Sequence, residues 1–178
     1  LAAELCDLRA AGADTLQRIA RDYQALKAHP APDAPRPKVM LNTPYRDTWF
    51  MPARNSYMVR LLEDAGARYV FEENTATQTL PIDIEQAYYL TSKSDFWLNV
   101  SGCNTLDEVR RQNPRLADTP PVREGRVYDN NRRRNAAGGS DFWESGVLRP
   151  DRVLADLVHI FHPELSETDE LYYYRQLE

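Results

Sequence analysis

The stretch that most constrains the fold is residues 38–71, which read KVMLNTPYRDTWFMPARNSYMVRLLEDAGARYVF. They begin with a short apolar run, residues 39–41, of the kind that forms a buried strand. A helix is predicted next, because Asn55 or Ser56 can cap it and Gly66 can end it. Its apolar positions recur at helical spacing, at Met58, Leu61, Leu62 and Ala65. The stretch is therefore predicted to form a strand, a loop, a helix and a second strand.

The loop of this unit is rich in aromatic and basic side chains, namely Tyr45, Arg46, Trp49, Phe50 and Arg54. In an open parallel sheet, ligands bind outside the carboxyl ends of the strands, which makes this loop a candidate binding segment. Trp49 is the first candidate, because an indole offers a broad flat contact and one donor. The alternative is a tryptophan packed beneath its own loop. Tyr45 is a weaker candidate, and Arg46 and Arg54 could hold a carboxylate or catecholate by two-point contact.

The rest of the chain alternates predicted strands with predicted helices. Strands are expected at residues 95–100 and 126–128, and helices at about 83–90, at 105–112 and from Pro150 onwards. This alternation favours the α/β class, as a three-layer α/β/α lobe. Its centre would be a mostly parallel sheet of about four to five strands, covered by helices on both faces.

The two ends of the chain differ from this body. Residues 1–28 carry apolar side chains at helical spacing, and residues 29–37 contain four prolines, so a long helix followed by an extended connector is expected. Pro120 and Pro121 predict another extended connector. The aromatic tail at residues 171–174 is expected to pack back on the body.

A second unusual segment, DNNRRRNAAGGSDFWESG at residues 129–146, is polar and glycine-rich and again follows a predicted strand. One of Arg132, Arg133 and Arg134 could bind an anionic ligand from the side of a cleft opposite Arg54, with Arg132 and Arg133 as the named candidates. Consecutive arginines cannot all face one way, so at least one is expected to be solvated. Trp143 could contact the ligand, or it could form an aromatic pair with its neighbour that anchors the loop.

Composition and missing motifs disfavour several classes of protein. A net charge of −5 and a pI near 5.3 argue against a nucleic-acid partner. The chain contains none of the motifs GxGxxG, GxxxxGK[ST], GxSxG or HExxH, and its 7 glycines leave little room for a phosphate-binding loop. We therefore predict no resident cofactor. No apolar run approaches the ~20 residues of a membrane span, and no signal peptide is present in the sequence.

Cysteines and histidines give no strong metal signal. Cys6 and Cys103 are far apart and belong to no CxxC motif, so two buried free thiols are expected, with a long-range disulfide as the alternative. His159, His162 and the nearby Glu164 have a spacing that could suit a metal. Histidines are also favoured at a helix C-terminus, and a proline follows at once, so we predict helix termination and no metal site.

Four stretches together resemble one family: TWFMPARNSYMVRLLEDAGARYV at residues 48–70, GGSDFWESGVLRPDRVLAD at 138–156, HPEL at 162–165 and LYYYRQL at 171–177. They resemble the C-terminal lobe of class III periplasmic solute-binding proteins, the helical-backbone receptors of ABC importers. The likeness is greatest to the iron-complex subfamily of lipoproteins in Bacteroidetes-like bacteria. That family usually has a Pro-Gly-Gly turn where this chain has Pro-Ala-Arg at 52–54, so the lip of the cleft is expected to differ in shape and charge.

The resemblance implies binding rather than catalysis. Residues 1–28 would be the helix between two lobes, residues 29–37 its connector, and residues 38–178 the C-terminal lobe. A metal chelate, namely a ferric siderophore, haem or cobalamin, would lie between the lobes, and the closed form would dock on an inner-membrane ABC permease. We expect a periplasmic monomer, anchored by a lipid on a segment that this sequence does not include.

Two points stay open at the level of sequence. The family commonly docks on its permease through an acid near the start of the helix after the tryptophan loop, but here Glu63 and Asp64 come only at the helix end. The competing interpretations are one lobe of a two-domain, transferase-like enzyme and a protein-docking module. An enzyme would need a base or nucleophile, and the candidate loops offer as acids only Asp47, Asp129, Asp141 and Glu144.

Overall fold

The computed structural model describes residues 8–27, 34–46, 48–166 and 170–178. The helices are α1 (Arg9–Lys27), α2 (Tyr57–Asp64), α3 (Ile84–Ser92), α4 (Leu106–Gln112), α5 (Pro120–Arg123), α6 (Ser145–Leu148) and α7 (Pro150–Phe161). The strands are β1 (Lys38–Leu41), β2 (Pro44–Tyr45), β3 (Thr48–Met51), β4 (Arg68–Tyr69), β5 (Leu80–Ile82), β6 (Phe96–Leu98), β7 (Val127–Asp129) and β8 (Arg175–Gln176). Short 3-10 turns lie at Pro114–Leu116, Asp141–Trp143 and Pro163–Leu165.

The centre of the fold is a five-stranded sheet in the order β4-β1-β6-β7-β8. Its first four strands are parallel, and β8 runs antiparallel to β7. Met40 pairs with Trp97, which in turn pairs with Val127, so the three central strands share one buried register. Helices α1 and α2 pack against α7, and α3 packs against α5. The predicted α/β class, with a mostly parallel sheet flanked by helices, is confirmed.

Capping residues set the helix boundaries where the sequence predicts them. The Ser56 side chain accepts the N–H of Val59 at the start of α2, and Gly66 follows its end with a φ of 81°. The Thr105 side chain accepts the N–H of Glu108 at the start of α4. These local hydrogen bonds fix the residues at which α2 and α4 begin.

Two predictions about local structure are wrong. Residues 42–56 are not a simple loop, because β2 and β3 form a hairpin that pairs with β5 in a second, antiparallel sheet. The segment at Pro120 and Pro121 is not extended, since the two prolines begin α5. Proline fits the first turn of a helix because its missing N–H would have no intrahelical partner there.

Helix α1 packs on the body mainly through its second half. Ile19 is buried, whereas Leu16 is 69% exposed. The Tyr23 hydroxyl donates to Asp64 over 2.6 Å, and the Lys27 ammonium lies 2.8 Å from the same carboxylate. The predicted helix is confirmed from Arg9 onwards. The connector predicted at 29–37 is described only from residue 34.

The C-terminal tail packs back on the body, as predicted, and a buried carboxylate holds it there. Asp156 on α7 accepts the backbone N–H groups of Tyr172, Tyr173 and Tyr174 over 2.7, 2.6 and 2.9 Å. Burial raises the pKa of Asp156, and the three N–H groups act against that rise. The clamp places Tyr174 in the core beneath the parallel strands.

The histidines and the cysteines discussed in the sequence lie as follows in the structure. Helix α7 ends at Phe161, with His162 at its C-cap. Among the described residues, no group of three or more His, Cys, Asp or Glu side chains is placed to hold a metal. Cys103 is buried and free, and Cys6 lies outside the described residues. In the described parts of the chain, no helix is long and apolar enough to cross a membrane.

Candidate functional site

Three parallel strands end side by side, and each is followed directly by an asparagine. Asn42 follows β1, Asn99 follows β6 and Asn130 follows β7. Asn42 and Asn99 have φ values of 67° and 61°, in the left-handed region that asparagine tolerates better than most residues. These residues turn the chain at the carboxyl edge of the sheet, where the sequence places the candidate binding loops.

Two indoles donate hydrogen bonds to the backbone at the end of β1. The Trp49 Nε1–H donates to the carbonyl oxygen of Leu41 over 2.9 Å, and the Trp97 Nε1–H donates to that of Asn42 over 2.6 Å. The two rings lie 5.5 Å apart at 31°. Trp49 is 1% exposed, so it packs beneath its own loop, the alternative considered for it above. Its only hydrogen-bond donor is already in use.

A network of polar side chains forms the floor of this edge. The Asn99 Oδ1 accepts hydrogen bonds from the Asn130 amide over 3.2 Å and from the Tyr174 hydroxyl over 2.9 Å. The Thr43 and Ser101 hydroxyl oxygens lie 3.2 Å apart. The floor therefore joins residues from the ends of β1, β6 and β7 with one from the C-terminal tail.

Two adjacent cavities open above this floor. The polar cavity, of about 260 Å³, is lined by Asn42, Thr43, Asn99, Ser101, Asp129 and Asn130, with Phe50 and Trp143 at its aromatic side. The apolar cavity, of about 390 Å³, is lined mainly by Pro52, Tyr57, Met58, Phe142, Trp143 and Val147. Asn42, Asn99 and Trp143 line both cavities. The pair forms one continuous candidate site with a polar and an apolar side.

Trp143 and Phe142 have different roles in the long loop. Phe142 is buried and packs edge-on against Tyr173 and Tyr174, with ring centroids 5.9 and 5.7 Å apart. Trp143 is 67% exposed and meets the Phe142 ring at 86° over 4.9 Å. Phe142 thus anchors the loop, and Trp143 presents its indole at the mouth of both cavities.

Asp129, the last residue of β7, lies in the wall of the polar cavity. It is 1% exposed, and its Oδ1 has no hydrogen-bond partner among the described residues. Burial raises the pKa of Asp129 to about 6, although the Asn130 backbone N–H and the charges of Arg134 and Arg175 act in the opposite direction. The site therefore contains a carboxyl group with unused acceptor capacity.

The arginine run at residues 132–134 does not line either cavity. Arg132 lies 3.4 Å from Glu170, and Arg133 donates to Asp141 over 2.8 Å. That contact lowers the pKa of Asp141. The three arginines surround a separate cavity of about 440 Å³, which shares no lining residue with the polar or the apolar cavity.

The remaining sequence candidates lie on the hairpin and beyond it. Tyr45 is 67% exposed at the hairpin tip, and the Arg46 guanidinium lies 5.6 Å from its ring centroid. Arg46 also lines a groove of about 310 Å³ next to α3. Arg54 donates to the carbonyl oxygen of Glu72 over 2.7 Å. Of the seven candidate residues, all of them described, Trp143 alone lines the paired cavities.

The acids named above are dispersed. Asp47 lies outside the described residues, and Glu144 is exposed on the rim of the arginine cavity. Asp64 is held by the side chains of α1, whereas Glu63 is exposed. Asp129 is the one of these acids that lines the paired cavities, within the described residues. Its position directly after the strand predicted at 126–128 was the available signal. Asn42 likewise follows the apolar run at 39–41, whereas Asn99 falls inside the strand predicted at 95–100.

The chain is an α/β lobe with a ligand-sized cleft at the carboxyl edge of its parallel strands. These features are those of a binding domain. The profile of the family described as periplasmic binding protein matches residues 1–132, which is more than half of the chain. The chain therefore belongs to the periplasmic binding protein family.

Similar proteins agree with this placement. An uncharacterized lipoprotein of Methanocaldococcus jannaschii is 28% identical over 131 residues, which cover 72% of this chain and 30% of that protein. A periplasmic heme binding protein of Pseudomonas aeruginosa superposes with a TM-score of 0.65 at 21% identity, covering 99% of this chain and 61% of the other. The siderophore binding protein of Vibrio cholerae with bound Fe³⁺-Desferal superposes with a TM-score of 0.56 at 17% identity. The match covers 89% of this chain and 58% of that protein.

At these identities, the solved structures show a shared fold alone. The chain spans less than two thirds of the length of each of these three proteins.

Proposed function

We propose that this chain is the C-terminal lobe of the substrate-binding protein of an ABC importer, of the helical-backbone class. The protein binds a metal chelate, namely a ferric siderophore, haem or cobalamin, in a cleft between two lobes and delivers it to an inner-membrane permease. The observation that carries the proposal is the exposed indole of Trp143 above two adjacent cavities at the carboxyl ends of β1, β6 and β7. Membership in the periplasmic binding protein family supports it.

The chemistry of the cleft suits a large ligand of mixed polarity. The indole of Trp143 offers a flat contact for a macrocycle or a chelate ring. Tyr57 and Val147, which are 53% and 60% exposed, extend this apolar wall. The amides of Asn42 and Asn99 line both cavities and offer hydrogen bonds that orient a polar ligand.

The proposal includes a second lobe that closes the cleft. The chain covers about three fifths of the length of the solved relatives, which supports a further domain. In this account residues 1–28 form the interlobe helix, residues 29–37 its connector and residues 38–178 the C-terminal lobe. The exposed Leu16 on the first half of α1 is consistent with a helix that packs on this lobe only at one end.

The proposed location is the periplasm, with a lipid anchor supplied from outside this sequence. The family description and the lipoprotein relative support this placement. The whole protein is proposed to act as a monomer that binds and does not turn over its ligand. Of the two acids at the end of α2, Glu63 is a better candidate than Asp64 for docking on the permease, because α1 already pairs with the Asp64 carboxylate.

The test is equilibrium binding of haem, cyanocobalamin and ferric Desferal to the full-length protein. Quenching of tryptophan fluorescence reports the binding. We expect saturable binding of at least one chelate, and Trp143→Ala should weaken it at least about ten-fold. Tyr88→Ala is the matched control, because Tyr88 is an exposed aromatic on α3 that lines neither cavity. The proposal is wrong if no chelate binds, or if Trp143→Ala binds as the wild type does.

A further inference from the structure

The charge of the residues that line the polar cavity disfavours the binding of an anionic group. Among the described residues that line it, none is basic, and the one ionisable side chain is the carboxyl group of Asp129. The arginine run at 132–134 surrounds a different cavity. A carboxylate placed in the polar cavity would meet the like charge of Asp129, and no basic side chain of the described lining would offset it, since Arg134 and Arg175, whose charges act on Asp129, lie outside that lining.

Asp129 has an acceptor atom that the fold leaves unused. Its Oδ1 is buried without a hydrogen-bond partner among the described residues. The Arg175 guanidinium, which follows on β8, donates instead to Asn131 over 2.6 Å and to the Asn104 Oδ1 over 2.8 Å. The Asp129 carboxylate therefore has no ion pair within the described parts of the chain.

The Asn130 backbone N–H and the Asn131 side chain lower the pKa of Asp129. A single buried carboxylate oxygen that lacks a hydrogen-bond partner is still unfavourable, and a ligand that supplies a donor to it removes that cost. The terminal torsion of aspartate is broad, so a small rotation can turn either oxygen towards the cavity. The Asn131 Nδ2 is also buried without a hydrogen-bond partner in the part of the chain that the structure describes, so this neighbouring donor does not satisfy the Asp129 Oδ1. The Asp129 Oδ1 is therefore an acceptor that an N–H group of a ligand could pair with.

We propose that the polar cavity is a subsite for an N–H donor of the ligand, best an ammonium group, which binds the carboxylate of Asp129. This inference rests on the proposed function and narrows its ligand class. The chelate is neutral or cationic at the end that enters the polar cavity. A chelate whose only group able to enter this cavity is a carboxylate is expected to bind weakly.

The test uses two probes with the same ferric trihydroxamate centre. Ferric Desferal ends in a primary ammonium group, and succinylation of that amine replaces the ammonium by a carboxylate. Both probes are titrated into the full-length protein at neutral pH. We expect the wild type to bind the amine form at least about ten-fold more tightly than the succinylated form.

Asp129→Asn should abolish this preference, because the amide keeps the shape of the side chain and removes its charge. Asp118→Asn should keep the preference, since Asp118 is exposed and lines neither cavity. Thermal unfolding verifies that each variant is folded. If Asp129→Asn does not fold, the comparison of the two probes on the wild type decides the inference alone.

The outcomes separate this inference from the proposed function. Equal affinity of the wild type for the two probes, or an unchanged preference in folded Asp129→Asn, overturns the subsite and leaves the receptor function standing. Binding of haem or cyanocobalamin with no binding of either hydroxamate probe does the same. If haem, cyanocobalamin and both hydroxamates all fail to bind, the proposed function falls and the subsite falls with it.

Discussion

The hydroxyl of Tyr174 donates a hydrogen bond to the Oδ1 of Asn99 over 2.9 Å. This bond joins the C-terminal tail to the turn that follows β6, at the floor of the paired cavities. Asn99 has a φ of 61°, so its side-chain bonds help to hold a backbone conformation that few residues adopt. The geometry of the cleft therefore depends on residues from the far end of the chain.

Tyr174→Phe should lower the free energy of unfolding by about 1 kcal/mol, because a buried acceptor loses one of its two donors. Urea denaturation measures this change. Tyr128→Phe is the control and should be nearly neutral, since the Tyr128 hydroxyl has no hydrogen-bond partner within the described residues. Equal losses in the two variants would contradict the role given to the bond with Asn99.

Asp156→Asn should lower the free energy of unfolding by about 2–4 kcal/mol. The three backbone N–H groups of residues 172–174 converge on this carboxylate, and an amide would turn an N–H₂ group towards some of them. Thermal and urea unfolding, with Asp118→Asn as the control, measure the loss. A variant as stable as the wild type would show that the carboxylate clamp does not hold the tail.

Asp129→Asn should stabilise the protein, and the gain should depend on pH. The pKa of Asp129 is raised from 3.8 to about 6, so its ionisation costs stability as the pH rises from about 4 through about 6, by up to about 3 kcal/mol. Burial is the cause of the raised pKa, and the Asn130 backbone N–H, the charges of Arg134 and Arg175 and the Asn131 side chain act to lower it. The negative charge of Asp129 in turn helps to raise the pKa of Tyr174.

The variant should therefore unfold at a higher temperature than the wild type at about pH 8, and the difference should shrink to near zero at about pH 4. Melting temperatures across this range provide the measurement. An advantage of equal size at both ends of the range, or a loss of stability at about pH 8, would contradict a raised pKa for this carboxyl group.

Trp49→Phe should lower the free energy of unfolding by about 2 kcal/mol, since it removes a buried N–H donor and part of the packing on Trp97. Its effect on chelate affinity should stay within about three-fold, because the indole lies beneath the loop and lines neither cavity. Fluorescence titration of the full-length variant measures the affinity. A loss as large as that of Trp143→Ala would place Trp49 in the ligand site after all.

Most of the fold could be predicted from local signals. Apolar runs marked β1 and β6, and the caps at Ser56 and Thr105 marked α2 and α4. The second sheet was missed, because β2 has two residues and β5 contains Pro81, so neither has the length or composition of a typical strand. Long-range pairing supplied what the sequence pattern of these segments lacked.

The candidate site was predictable in its place but only partly in its residues. Parallel strand ends located the binding edge, and the long loop of Trp143 lies there. Which tryptophan is exposed depends on contacts distant in sequence: Trp97 packs against Trp49, and Phe142 supports Trp143. No periodicity within the loops carries that information. Asn42, Asn99 and Asn130 were not among the predicted site residues, and Asn99 was expected inside the strand at 95–100.

The most direct test of the central claim is hydrogen–deuterium exchange of the full-length protein with and without the chelate that binds best. We predict protection in peptides that cover residues 52–58, 99–101 and 140–148, each of which contributes lining residues to the paired cavities. Peptides over residues 84–92 and 112–116, which flank the groove of Arg46, should be unchanged. Protection of the two groove segments alone would contradict a chelate site at the carboxyl edge of the parallel strands. The absence of protection in all five segments would contradict it as well.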